Sequence, residues 1–101
     1  MKVMVFPMSE KFGSFLADGD RANVFRHFEV EAAMSHYDRV VFDFEGVTNM
    51  TDSFCNACFG NLFTDHPGAL EDKLEFKNCS PLIKSFLKFA IALGRKQAQP
   101  V

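Results

Sequence analysis

The segment Arg39–Phe44, "RVVFDF", is apolar on both faces of an extended chain. A strand of that kind is covered on both sides and sits in the middle of a sheet. It lies between two other strand-like runs. "KVMVF", Lys2–Phe6, is ended by Pro7 and reads as an edge or terminal strand. "LEFKN", Leu74–Asn78, alternates like a half-buried strand. Helical patterns separate and follow these runs. The first starts at Asp20 as N-cap and runs to His36 or Tyr37. It buries Phe25, Phe28, Ala32 and Ala33 on a face widened by Val24 and Met34. The second spans Asp52 to about Phe63. The third opens with Ser80 as cap and Pro81 at the first helical position, continues to about Leu93 and is closed by Gly94. Residues 8–19 read as a turn anchored by Phe12, Phe15 and Leu16. A short strand at Gly13–Leu16, in a hairpin with the first, is the alternative for that stretch. "EGVTNM" is a turn, and "HPGALEDK" a surface loop. The βαβαβα order predicts an α/β fold with a mixed or mostly parallel sheet. At 101 residues the chain, 1–101, forms one small domain.

Bulk properties exclude some partners. A formal net charge of −2 offers no electrostatic reason to bind nucleic acid or an anionic membrane. No apolar stretch approaches the roughly 20 residues needed to span a bilayer, and Met1-Lys2 opens no signal peptide. Three cysteines, an odd number, point to reduced thiols and a cytoplasmic location. Thirteen phenylalanines stand beside one tyrosine and no tryptophan. Phenyl rings carry no polar handle, so rings that the core cannot house need a protein-binding face or a second copy of the chain.

The C-x-x-C pair Cys55 and Cys58 raises a thiol-redox or metal function. On a helical wheel both sulfurs fall inside the apolar stripe with Phe54, Leu62 and Phe59, opposite Asn56, Gly60 and Asn61. A redox pair needs an exposed first cysteine near positive charge. Zinc would draw on Cys55, Cys58, Cys79, His27, His36 and His66, but two cysteines on one helical turn suit the usual loop knuckle poorly, and His27 and His36 stand nine residues apart on a different helix. The pair therefore reads as small core hydrophobes, with no metal and no cofactor expected. No paired acid and base, phosphate-cradling loop or nucleophile with its base occurs, so no enzymatic activity is expected.

Ser53 lies in the first turn of the second helix, on the polar side of the stripe, directly after a strand and tight turn. Backbone N–H groups and the helix dipole converge at such a place, where an anion or phosphate is tolerated. Thr51, Asp52 and Ser53 are also good helix-capping residues, and spacing alone favours capping.

"VVFDFEGV" followed by "TNMTDSF" resembles the STAS domains of anti-sigma-factor antagonists. In those proteins a hydrophobic strand ends D-x-S-x-V and D-S-S-G-L opens the next helix, its second serine being phosphorylated. Asp43 and Val47 match the strand end, and Ser53 falls on the phosphorylated position. "GDRANVFRHF", "VVFDFEGV" and "SFCNACFGNLF" are similar, in order and spacing, to the pattern of a STAS-like domain family whose members are mostly of unknown function. The resemblance covers roughly residues 13–65; "LEFKNCSPLIKSFLKFAI" agrees in layout only. It implies a regulatory protein-interaction module whose partner is a histidine-kinase-like ATPase. The implied surface is Thr48 to Phe54, with Thr48, Thr51, Asp52, Ser53, Phe54 and Asp43 as candidate regulatory or partner-site residues. Two departures bear on it. Asp52 replaces a serine and sets negative charge beside any phosphate, and Phe54 replaces a glycine. Two rival readings stand: a thiol protein using Cys55 and Cys58, and a homo-oligomer (a homodimer at its simplest) joined through the final helix, which is more apolar than one core-facing stripe requires.

Overall fold

Strand β3 (Arg39–Asp43) forms the middle of a three-stranded sheet in a computed structural model that describes residues 1–98. It pairs in parallel with β1 (Val3–Pro7) on one side and β5 (Leu74–Lys77) on the other. The intervening elements are α1 (Met8–Phe12), β2 (Phe15–Leu16), α2 (19–36), β4 (Asn49–Met50), α3 (52–65) and α4 (Ala69–Asp72). Helix α5 (Pro81–Ala98) follows β5. The fold is a small α/β arrangement of parallel strands and helices, as the order of patterns predicts.

β3 is central, yet only one of its faces is covered by helices. Met4, Phe6, Val40, Phe42, Leu74 and Phe76 share the face turned to the helices, following the period of two. Phe42 stacks between Phe6 and Phe76 at 5.8 and 5.3 Å, and Phe59 from α3 meets it edge-on at 5.2 Å. Every buried apolar side chain of the helices belongs to the core that contains Phe6, Val40, Phe42 and Leu74. Val41, on the opposite face, lies outside that core and is covered by its own neighbours in register, Val5 and Glu75. The expectation of a strand covered on both sides is thus corrected: lateral neighbours can bury a valine without a second layer.

Residues 8–19 also differ from the sequence reading. Met8–Phe12 is a helical turn with Met8 fully buried, and Gly13 leaves it at φ 85°. β2 makes no hairpin with β1. It pairs in parallel with β4, Phe15 to Asn49 and Leu16 to Met50. The cap of α2 is Asp18, two residues ahead of Asp20. Its carboxylate accepts from the amides of Asp20 and Arg21 at 2.9 and 3.3 Å.

Helices α2 and α3 each contain one wide π turn, Arg26–Val30 and Asn56–Gly60. The Ala57 carbonyl of the second turn accepts from Arg26 Nε of α2 at 3.0 Å and from Asn61 at 3.3 Å, which joins the two helices. On its other side α3 packs against α5. Gly60, placed by the wheel among the polar positions, is buried there with Phe63. Gly94 does not close α5, which continues to Ala98. A Cβ at Gly94 would collide with the Gly60 carbonyl and press on Phe63, so this glycine permits the helix crossing rather than ending the helix.

Gly94→Ala should therefore destabilise the domain by about 1–3 kcal/mol through overpacking, although alanine is the better helix former. Chemical denaturation measures this. A stabilised variant would show that the crossing is loose.

Candidate functional site

The turn before α3 is held by the segment before α2. The amide and hydroxyl of Thr48 both donate to the Ser14 carbonyl, at 2.8 and 3.2 Å. The Thr51 amide donates to the Leu16 carbonyl at 2.9 Å, and its hydroxyl to the Ala17 carbonyl at 3.0 Å. The same Thr51 oxygen accepts from the Phe54 amide at 3.1 Å, so Thr51 is the N-cap of α3. Capping thus falls to Thr51. Ser53 is exposed, and a Cβ built on Gly19 would lie 2.5 Å from its hydroxyl. The absence of a side chain at Gly19 lets the two helix starts approach each other at Ser53.

The corner so formed is acidic. Asp18 and Asp20 flank Gly19, and exposed Asp52 precedes Ser53. Carboxylates at helix N-termini are stabilised by the dipole and the unpaired amides. A phosphate on Ser53, carrying roughly −2, would meet the same amides but with acidic neighbours already present.

Asp52 also borders an apolar depression of about 350 Å³ lined by Leu82, Ser85, Phe86 and Phe89 of α5. Leu82 is 47% and Phe89 70% exposed. Asp52 and the outer face of α5 therefore form one surface, polar at the helix start and aromatic beside it, while Ser53, the next residue, lies against Gly19. The sequence marks Leu82, Phe86 and Phe89 as surplus apolar surface but does not place them next to Asp52, because the α3–α5 packing is a long-range contact.

The remaining candidates separate. Phe54, expected on the partner-facing surface, is fully buried and packs edge-on against Phe12 at 5.1 Å. Its neighbour in sequence is exposed because successive residues of a helix point about 100° apart. Asp43 closes the end of β3. It accepts from the side chain of Asn78 at 2.9 Å and the amide of Glu45 at 3.0 Å, which together hold its carboxyl below the ordinary carboxylate value. With Pro7, Ser9, Glu10, Glu45 and Gly46 it lines a different depression from that of Asp52.

The cysteines lie inside. Cys55 and Cys58 are 1% and 0% exposed. Burial, with Asp52 nearby, pushes the Cys55 thiol up to about 12, and burial raises Cys58 as well, then Cys55 beside it, despite Arg26. The Cys55 thiol donates to the Phe86 carbonyl at 3.5 Å. Thiols held protonated in this way are poor nucleophiles and poor ligands. Among the described residues no group of three or more His, Cys, Asp or Glu side chains could hold a metal ion.

One polar cluster was not singled out from the sequence. Glu31 of α2 binds Arg26 at 3.1 Å, His66 at 3.0 Å and His27 at 3.5 Å. Partial burial raises its carboxyl, but the hydrogen bond to His66 and the charge of Arg26 outweigh this and leave it below its ordinary value. The residues come from α2 and the end of α3, so only the fold assembles them. The spacing of His27 and Glu31, four residues apart on one helix, is a local sign.

The parallel strands and helices form a small α/β arrangement consistent with a single STAS-like domain. The family model "STAS-like domain of unknown function (DUF4325)" matches residues 24–84, and the chain belongs to that family. The match continues past the motifs at 13–65 and takes in β5 and the start of α5. No curated protein and no solved structure matches the chain. Among the described residues no helix is long and apolar enough to cross a membrane.

Under native conditions a thiol reagent should label half-buried Cys79 first. Cys55 and Cys58 should label only together with global unfolding, by mass spectrometry across a denaturant series. Fast labelling of Cys55 in the native state would restore the redox reading.

Proposed function

We propose that this chain is a non-enzymatic regulatory module that binds a protein partner through the start of α3 and the adjoining face of α5. The observation that carries the proposal is the exposed start of α3, where Asp52 borders an uncovered aromatic surface and exposed Ser53 follows it in the chain. Interfaces combine apolar anchors with a polar rim, and Phe89 and Leu82 supply the first while Asp52 and Ser85 supply the second. The reason to look to a histidine-kinase-like ATPase as that partner is the resemblance of "VVFDFEGV" and "TNMTDSF" to the STAS domains of anti-sigma-factor antagonists. Such a partner holds ATP, and attack of the Ser53 hydroxyl on the γ-phosphorus would give phosphoserine and ADP, with the hydroxyl proton passing to a base of the partner. The product would place a phosphate in a corner that already holds Asp18, Asp20 and Asp52, and the added repulsion would release an acidic or apolar partner surface.

Titration calorimetry with a histidine-kinase-like ATPase encoded near this chain tests the reading, using Ser53→Glu and Phe89→Ser. Each should weaken binding at least tenfold while the circular dichroism and unfolding midpoint stay near those of the parent. A variant that unfolds assigns Ser53 to the architecture. Unchanged binding by both folded variants removes this surface from the interaction.

A further inference from the structure

A second unpartnered surface lies on α2, on the pole of that helix away from the core. Ala22, Phe25, Val30 and Ala33 are buried. Asp20, Val24, Phe28, Ala32 and His36 recur every fourth residue and are all exposed, Val24 at 58% and Phe28 at 69%. The sequence pattern places Phe28 and Ala32 on the buried face. The π turn at Arg26–Val30 corrects this by widening one turn of the helix, which carries Phe28 outward. In a regular α-helix a row of every-fourth positions drifts about 40° per step around the axis, and the wide turn removes much of that drift. The result is a straight exposed row, apolar at its centre, with a carboxyl side chain at one end and an imidazole at the other.

That row is complementary to itself. When two α2 helices pack antiparallel about a two-fold axis at Phe28, Val24 of one copy faces Ala32 of the other, because each stands four residues from Phe28. Asp20 then faces His36 of the second copy, each standing eight residues away. Among the described residues neither Asp20 nor His36 takes part in an ion pair within the chain. Isologous contacts require a patch that matches its own rotated image. The apolar residues and the pairing of the Asp20 carboxyl with the His36 imidazole both meet that condition about the same axis.

We propose that α2 pairs with α2 of a second copy of this chain in an antiparallel two-fold contact centred on Phe28. One helix face is small beside the roughly 800 Å² per partner of standard interfaces, so the dimer is weak and concentration-dependent. The contact leaves Leu82 and Phe89 outside it and shares with the partner surface above only Asp20, beside the Ser53 corner, so Phe28→Asp and Phe89→Ser distinguish the two.

Sedimentation velocity of the full chain from micromolar to millimolar concentration tests it. The parent should shift from monomer towards dimer, and Phe28→Asp should raise the dissociation constant at least tenfold with an unchanged circular dichroism spectrum. Asp20→Lys and His36→Glu should each weaken the dimer, and the double variant should recover most of the loss by exchanging the two charges. A strictly monomeric parent overturns the proposal. So does a dimer that survives Phe28→Asp but is lost in Phe89→Ser, which would place the contact on α5.

Discussion

Helix α3 is held from three sides, and most features of this domain follow from that confinement. The phenyl layer of the sheet lies under it through Phe59, α2 reaches its wide turn through Arg26, and α5 closes on it where Gly60 and Gly94 cross. A helix so enclosed has little polar surface to spare, so its cysteines, its glycine and four of its large apolar side chains (Phe54, Phe59, Leu62 and Phe63) are all interior. Its first turn reaches solvent at Asp52 and Ser53. Ser53 owes its position to this geometry and to Gly19, and the Thr51 cap frees it from a capping role.

The same confinement separates two kinds of signal within the family motifs. Phe25, Arg26, Phe54, Phe59 and Gly60 are conspicuous in the sequence and serve the packing of α2, α3 and α5. Asp43 holds a turn through Asn78 and Glu45. Ser53 is an exposed motif residue whose side chain makes none of the hydrogen bonds of the α3 cap. Asp18, Asp20 and Asp52 make its surroundings acidic.

Much of this was legible in the chain. β1, β3, β5 and the Ser80-Pro81 start of α5 follow from alternation, apolar runs and capping chemistry, which are local properties. The interior orientation of Cys55 and Cys58 followed from the helical period. What was hidden depends on contacts distant in sequence. A π turn has no composition of its own, so Phe28 was placed on the wrong face of α2. Gly94 looks like a helix terminator until Gly60 is brought against it. β2 found its partner in β4, more than thirty residues away, in place of the adjacent β1. The uncovered second face of β3 was masked because Val41 is as apolar as a residue between two layers. The site itself was half visible: the start of α3 and the apolar excess of α5 could each be named, but not the meeting of Asp52 with Leu82, Phe86 and Phe89.

Native-state hydrogen exchange tests the enclosure of α3 most directly. Amides from Cys55 to Asp65 should exchange only through global unfolding, with the same dependence on denaturant as the whole domain, while those of Asp52 and Ser53 exchange through local opening. Exchange of the middle of α3 by a sub-global route, with α2 and α5 still protected, would contradict the account.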